Sequence, residues 1–332
     1  MGNEVSIAKL SNNNLRILTT SKPTSNNPIY QRDYNYNNWN NNAISISANQ
    51  YISPNIVVNG SRSFLAFGEL GFNTGGGQIR VYSPDLTTNN NNFLTVTNQL
   101  AGAMGNLMGT AISACFSSDG SYCIAGSEPG FSTTGRVRVF RYNASGGSWP
   151  RIGTDIVSNQ DNVMGSSLSM CLFLSELHLA IGESGHNTNR GRVRVFKYSG
   201  SIYSNTTSWT QVGLIIYGEV LSTDQTGNSV SLCVYNSTLI LAVGEPGYNN
   251  NQGRVRVFYL LDETWTTLGS EILGETTSET GFSLSLIVDK NSVLNLAVGE
   301  PGFNNNQGRV RVFRYIERKK NNTRLSGFFS RL

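Results

Sequence analysis

The sequence predicts an all-β chain, a five-bladed β-propeller of four-stranded antiparallel blades, and three observations predict it. The first is a repeat. LAFGELGFNTGGGQIRVY from Leu65 returns as IAGSEPGFSTTGRVRVF from Ile124, LAIGESGHNTNRGRVRVF from Leu179, LAVGEPGYNNNQGRVRVF from Leu241 and LAVGEPGFNNNQGRVRVF from Leu296. Its glutamate falls at Glu69, Glu128, Glu183, Glu245 and Glu300, so one unit takes roughly 55 to 62 residues and five units fill most of the chain. The second is composition, 38% hydrophobic and only 14% charged with 35 glycines, and few stretches of helical periodicity. The third is the plan inside a unit. Residues 229 to 273 read as SVSLCVY, TLILAVGE, RVRVFYL and WTTLGSEIL, joined by Asn236 and Ser237, by PGYNNNQG, and by Asp262 and Glu263. Connections this short imply an antiparallel meander.

The second run of each unit is apolar throughout and the fourth is more polar, so burial is expected to fall across the sheet. A sheet with two apolar faces must be covered on both, and radial packing of such sheets does this. The competing architecture, an open β-solenoid, suits shorter repeats and needs end caps. The fifth unit offers only FSLSLIV, LNLAVGE and RVRVFRY, one strand short. The expected organisation is therefore a segment 1–42, with strand-like EVSIAKL, NLRILTT and PIYQRDY, that supplies the closing strand. A propeller follows over 43–315, its first inner strand AISISA at Ala43, and then a basic, solvated tail over 316–332. The tail doubling back as the last strand is the alternative.

Aligned, the units give D-x-x-G-x-S-[VL]-S, then L-A-[VI]-G-E-[PS]-G, then G-R-V-R-V-F. This order resembles the FG-GAP repeats of integrin-α-type propellers over residues 43 to 315, with Gly165, Gly227 and Gly281 before strand one and Gly182, Gly244 and Gly299 at the second turn. The resemblance implies calcium loops between strands one and two, but here those read SSDGS at Ser117, LSE at Leu174, YNST at Tyr235 and DKNS at Asp289. None offers enough alternating oxygen side chains, so no calcium or other metal is expected. Integrin-type propellers also have seven blades. The asparagine-rich wording is similar to uncharacterised repeat proteins of large DNA viruses that infect amoebae, which implies a viral or virion protein.

The five glutamates end strand two and converge on one rim, where a ring of carboxylates could bind a cation or a sugar. Against this, Glu245 is expected opposite Arg254 across the hairpin, as Glu183 is opposite Arg192 and Glu300 opposite Arg309, which makes structural ion pairs. After GEPG come Phe72, Phe131, His186, Tyr248 and Phe303, followed by Asn73, Asn187, Asn249 and Asn304, an aromatic and amide pairing suited to sugars or to packing of the turn itself. Asn106, Asp161, Asp224 and Glu279 read as turn residues on the same rim. Cys115, Cys171 and Cys233 are equivalent. A two-residue turn at Asp119 and Gly120 would set Cys115 opposite Ile124, so neither a disulfide with Cys123 nor a zinc site is expected.

With two histidines, no nucleophile motif and near-identical glutamates, the expectation is a non-enzymatic, cofactor-free, monomeric interaction module whose GEPG-loop rim binds a protein or glycan. A lectin is the alternative, and a glycoside hydrolase ranks below it because that chemistry needs two carboxylates in different environments. Net charge of +4 is too mild to imply nucleic acid. No apolar run is long enough to span a membrane. The start MGNEVS fits N-myristoylation at Gly2 and lacks a secretory core, so an intracellular or virion location is expected, with the sequons at Asn143, Asn205, Asn236 and Asn321 unglycosylated.

Overall fold

A computed structural model describes residues 4–9, 15–20, 29–35, 38–44, 51–59, 62–84, 93–95, 100–158, 164–219, 223–317 and 327–332, with side chains from 64 onward except 84 and 93–95. The chain is all-β, and each of the five repeats becomes one antiparallel propeller-type sheet of four or five strands in sequence order. Two compact units are present: Met1–Val157 with Ser201–Thr206, and Ser158–Gly200 with Thr207–Leu332.

The first unit holds three sheets. Glu4–Lys9, Leu15–Thr20, Ile29–Asn35 and Asn38–Ile44 form one. Tyr51–Asn59, Arg62–Glu69, Gln78–Pro84 and Phe93–Thr95 form the second, with Leu100–Ala101 also on the third strand. Ile112–Phe116, Tyr122–Glu128, Arg136–Arg141 and Ile156–Val157 form the third. In the second unit, the strands of the fourth sheet are Ser167–Phe173, Glu176–Glu183, Arg192–Tyr198, Thr210–Gln211 and Ile216–Tyr217. Those of the fifth are Ser229–Tyr235, Thr238–Glu245, Arg254–Leu261, Thr264–Thr267 and Ile272–Leu273. The sixth is Ser283–Val288, Leu294–Glu300, Arg309–Glu317 and Gly327–Arg331.

The ends of the chain depart from expectation. The sheet of the last repeat takes its fourth strand from the tail, with Phe313 opposite Arg331 and Glu317 opposite Gly327, and not from the N-terminal segment. Phe329 makes the difference: it packs against Tyr315, ring centres 5.3 Å apart, so the tail carries an apolar anchor as well as charge. The N-terminal segment instead forms a four-stranded sheet of its own, whose last strand, NWNNNAI, is too polar to read as a strand from its pattern. Ala43 belongs to that strand, and the inner strand of the first repeat is Tyr51–Asn59. Gly2, Asp161 and Asn321 lie outside the described residues.

Burial peaks on strand two, not at the edge. Every residue of Tyr122–Glu128 is buried, and so are all of Glu176–Glu183 and Thr238–Glu245 except the first. An inner strand has only one sheet neighbour, whereas strand two has two and is covered on both faces. In the second unit, Val193 and Val195 pack on Val230, Leu241 and Phe258 of the next sheet, and Val255 and Val257 repeat this against Leu296, Val298 and Phe313. Inner strands are also stitched by serine: the Leu232 N–H donates to Ser169 Oγ and the Leu286 N–H to Ser231 Oγ, each 2.9 Å. The repeated S-x-S of the inner strand therefore carries sheet-to-sheet hydrogen bonds.

The glycines that carry the family resemblance have two separate tasks. Gly227 and Gly281 are left-handed, at φ 83° and 86°. Gly244 has no room for a Cβ, which would collide with the Gly281 carbonyl and with Ser229 Oγ.

Three two-residue hairpin turns have both residues left-handed: Asn236 and Ser237, Asp262 and Glu263, Leu174 and Ser175. Leu174 is a poor choice for φ 47°, and its side chain is 77% exposed, so no packing offsets the strain. The double substitution Leu174→Asn, Ser175→Gly is expected to stabilise the protein by about 1 kcal/mol in a urea melt.

Candidate functional site

The predicted rim residues come together within each sheet, and they are locked to one another. Glu183 is fully buried and sits opposite Arg192. Arg192 donates from Nε and Nη2 to Oε2 (2.8 and 2.7 Å), and Arg194 Nε donates to Oε1 at 2.6 Å. Glu128 holds Arg136 and Arg138 in the same way and accepts from Asn106 Nδ2 at 2.8 Å. Glu245 holds Arg254, Arg256 and the Thr226 hydroxyl, and Glu300 holds Arg309, Arg311 and the Thr280 hydroxyl. Glu69, with Gln78 opposite in place of arginine, takes Arg80 at 2.8 Å. Burial works to raise the pKa of Glu300, but hydrogen bonds from Thr280, Arg309 and Arg311 outweigh it and hold the carboxyl below the usual range.

The rim aromatics complete the same clusters. Arg136 lies over Phe131, Arg254 over Tyr248 and Arg309 over Phe303, 3.8, 3.9 and 3.7 Å from the ring centres. The second arginine stacks on the strand-three phenylalanine, as Arg256 does on Phe258 at 5.4 Å. Phe72 belongs to the one repeat without a first arginine, and it is the rim aromatic left most exposed, at 39%. His186 is buried and leans on Tyr217, ring centres 5.9 Å apart, with Arg190 over that same tyrosine.

The asparagines that follow have a backbone reason to be there. Asn249, Asn250 and Asn251 are all left-handed, at φ 46°, 56° and 64°, as are Asn304, Asn305 and Asn306. Asparagine tolerates this conformation better than other chiral residues. The turn is closed by the Gly253 N–H on the Tyr248 carbonyl at 3.0 Å. The carboxylates and guanidiniums of the rim thus pair with one another within each sheet.

The cysteine register also differs from expectation. Cys115 faces Cys123 directly, because the turn between them spans Ser117 to Ser121 and not two residues. Burial pushes the Cys123 thiol up to about 12, which keeps it protonated and unreactive. Burial also lowers the pKa of both histidines. A depressed folded-state pKa favours the neutral ring, so the stability it lends is complete above the unfolded value of about 6.5 and is lost as pH falls through that value toward the folded one. Melting temperature is expected to decline from pH 7.5 to pH 5, and less steeply after His178→Gln.

A second polar cluster is absent from the sequence-based candidates. It forms at the sheet edge opposite the rim, in the first unit. Asp119, in the turn after the third sheet's inner strand, accepts the Ser117 hydroxyl at 2.6 Å and the Ser121 N–H at 2.9 Å on Oδ1. Its Oδ2 accepts the hydroxyl of Tyr203 at 2.8 Å. Tyr203 comes from the Ser201–Thr206 segment, whose Ser204 carbonyl is bound by the Gly153 N–H at 2.8 Å. Arg141 lies over the Tyr203 ring, 4.2 Å from its centre, and its buried Nε has no hydrogen-bond partner.

Burial raises the Asp119 pKa, but the bonds from Ser117, Ser121 and Tyr203 outweigh it and keep the carboxylate ionised well below the usual range. Donating its hydroxyl to Asp119 and sitting beside that charge raise the pKa of the Tyr203 phenol, and Arg141 works in the opposite direction. The arrangement is a phenol hydroxyl donating to an ionised carboxylate that the Ser117 hydroxyl and the Ser121 N–H hold in place. The sequence places Asp119 only in a loop too poor in ligands for calcium and in a two-residue turn with Gly120. Its partner lies 84 residues away, beyond the reach of any local pattern.

No protein-family model matches the sequence, and no curated protein matches it. Among solved structures the chain is similar to the sialidase of Trypanosoma rangeli in complex with the inhibitor DANA, at 11% identity and a TM-score of 0.59, over 94% of this chain and 54% of that one. It is also similar to the same sialidase with 2,3-difluorosialic acid, captured as a covalent intermediate, at 10% identity and 0.60, over 93% and 53%. The chain spans about half the length of the sialidase chains it matches. At this identity the likeness establishes the β-propeller fold. It also corrects the expectation of a non-enzymatic interaction module, because the solved structures named here, which share this fold, are sialidases. Among the described residues no helix is long and apolar enough to cross a membrane.

Proposed function

We propose that this chain hydrolyses glycosides, with Tyr203 as nucleophile and Asp119 as its base. The observation that carries the proposal is the 2.8 Å bond between the phenol and an ionised carboxylate, in a fold shared with sialidases. Glycosidases commonly use two carboxylates, but sialidases use a tyrosine nucleophile. In the first step Tyr203 Oη bonds to the anomeric carbon as the bond to the leaving oxygen breaks, and the phenol proton passes to Asp119 Oδ2. Arg141, under the ring, stabilises negative charge developing on the phenol. Once Asp119 has returned its proton to solvent, it deprotonates a water that attacks the same carbon and releases Tyr203. Two displacements retain the anomeric configuration.

The test is a panel of 4-methylumbelliferyl glycosides, a sialoside among them, because an aryl leaving group departs without needing a proton donor. Turnover that Asp119→Asn removes supports the proposal. Absence of turnover across the panel, or turnover indifferent to Asp119→Asn, refutes it.

A further inference from the structure

The sixth sheet has one face open. Ser283, Gly299 and Val310 lie side by side across its first three strands, as Ser229, Gly244 and Val255 do in the fifth. On the fifth sheet this face is sealed, with Val255 and Val257 at 0% and 2% exposure, whereas the matching Val310 and Val312 stand at 68% and 39%. Ile287 and Ile316 extend the same face and are exposed too. A contiguous apolar patch of this kind marks an interaction surface.

What covers the matching faces shows what this one is shaped to hold. On the fourth and fifth sheets the neighbouring inner strand enters through a glycine: Ser167 Oγ donates to the Gly227 carbonyl at 2.8 Å, and Ser229 Oγ to the Gly281 carbonyl at 2.7 Å. Five residues further on, the N–H groups of Leu232 and Leu286 donate to Ser169 and Ser231. A Cβ on Gly182 or Gly244 would strike those same glycine carbonyls, whereas one on Gly299 meets only Ser283 of its own sheet. The sixth sheet keeps each part of the socket, with Ser283, Ser285 and Gly299 in place.

The wording that enters such sockets, G-x-x-[VLI]-S, opens the inner strand at Gly109, Gly165, Gly227 and Gly281, and it occurs once more as GNEVS, Gly2 to Ser6. There it leads into Glu4–Lys9, an edge strand whose ladder runs on one side only, with Leu15–Thr20. We infer that two copies of this chain associate by seating this strand of each on the sixth sheet of the other. The Ser283 hydroxyl donates to the Gly2 carbonyl of the second copy, and the Ile7 N–H of that copy donates to Ser285 Oγ. The occupant is a second copy because the chain itself carries the entering wording. The contact continues the interface that joins the fourth, fifth and sixth sheets, and reciprocal exchange closes a two-fold dimer.

The test is sedimentation velocity of the full chain over a range of concentrations, where the parent is expected to dimerise. Val312→Lys sets a charge on the receiving face, and Gly2→Val adds a side chain where Gly281, at φ 86°, has no room for one. Each should stay monomeric at concentrations where the parent is a dimer, with its melting temperature unchanged. An equimolar mixture of the two variants should form a dimer again, since one keeps the entering strand and the other keeps the receiving face. A parent that stays monomeric at every concentration assigns the face to another occupant and overturns the inference. So does a dimer that survives Val312→Lys, or a mixture that fails to reassociate. If Val312→Lys misfolds, Val310→Lys, at the most exposed position of the face, takes its place.

Discussion

Tyr203→Phe is expected to lower turnover of an aryl glycoside by about 10³-fold or more while leaving the melting temperature within a degree or two of the parent. Loss of a nucleophile removes the whole covalent route, and the residual rate reflects binding and general electrostatics alone. The structural cost is small because the ring stays: it remains stacked on Arg141, and 67% of the side chain already faces solvent. Asp119→Asn keeps the Tyr203 contact but removes the base, so a loss of about 10² to 10⁴ is expected, the usual worth of general base catalysis. The acid limb of the rate profile adds a check. Because the hydrogen bonds on Asp119 keep its carboxylate ionised below the ordinary range, activity should persist below pH 3.9 to the extent that the fold does. A limb near pH 6 would assign the base to another group.

How much of this was legible in the sequence depends on distance along the chain. The hairpin registers follow from the repeat: Glu245 opposite Arg254 and Val243 opposite Arg256 are nine and thirteen residues apart, within reach of strand alternation. The Asn-rich turn was visible as composition, but its cause, three successive left-handed residues after an aromatic ring, needed backbone angles. What the repeat hides is what differs between sheets. Tyr203 sits in the connection between strands three and four, whose length and wording change from repeat to repeat, and it meets an Asp of the preceding repeat. The N-terminal sheet stayed hidden for a different reason, since Asn38–Ile44 satisfies its backbone in a ladder without presenting an alternating apolar face. The tail misled because its basic residues outweighed two phenylalanines.

Glu183→Ala is expected to destabilise the protein by about 3 to 5 kcal/mol, seen as a lower midpoint in urea by circular dichroism. The magnitude is that of breaking a buried ion pair by removing one partner, where the uncompensated charges cost more than the pair contributed. Arg192 and Arg194 are 3% and 9% exposed, and both pair with the Glu183 carboxylate, which receives three of their hydrogen bonds. Ser158 and the Met164 sulfur, which accept from the same arginines, are neutral and cannot replace it. Glu245→Ala removes an equally buried carboxylate but should cost less, because Arg254 keeps Glu219 at 2.7 Å, Glu271 at 3.3 Å and Asp224 at 3.5 Å. If the rim glutamates served a ligand and not the fold, both substitutions would leave the midpoint unchanged. The ordering Glu183 above Glu245 therefore tests the structural reading of the whole rim, and Glu183→Gln, which keeps the volume and loses the charge, should fall between the parent and Glu183→Ala.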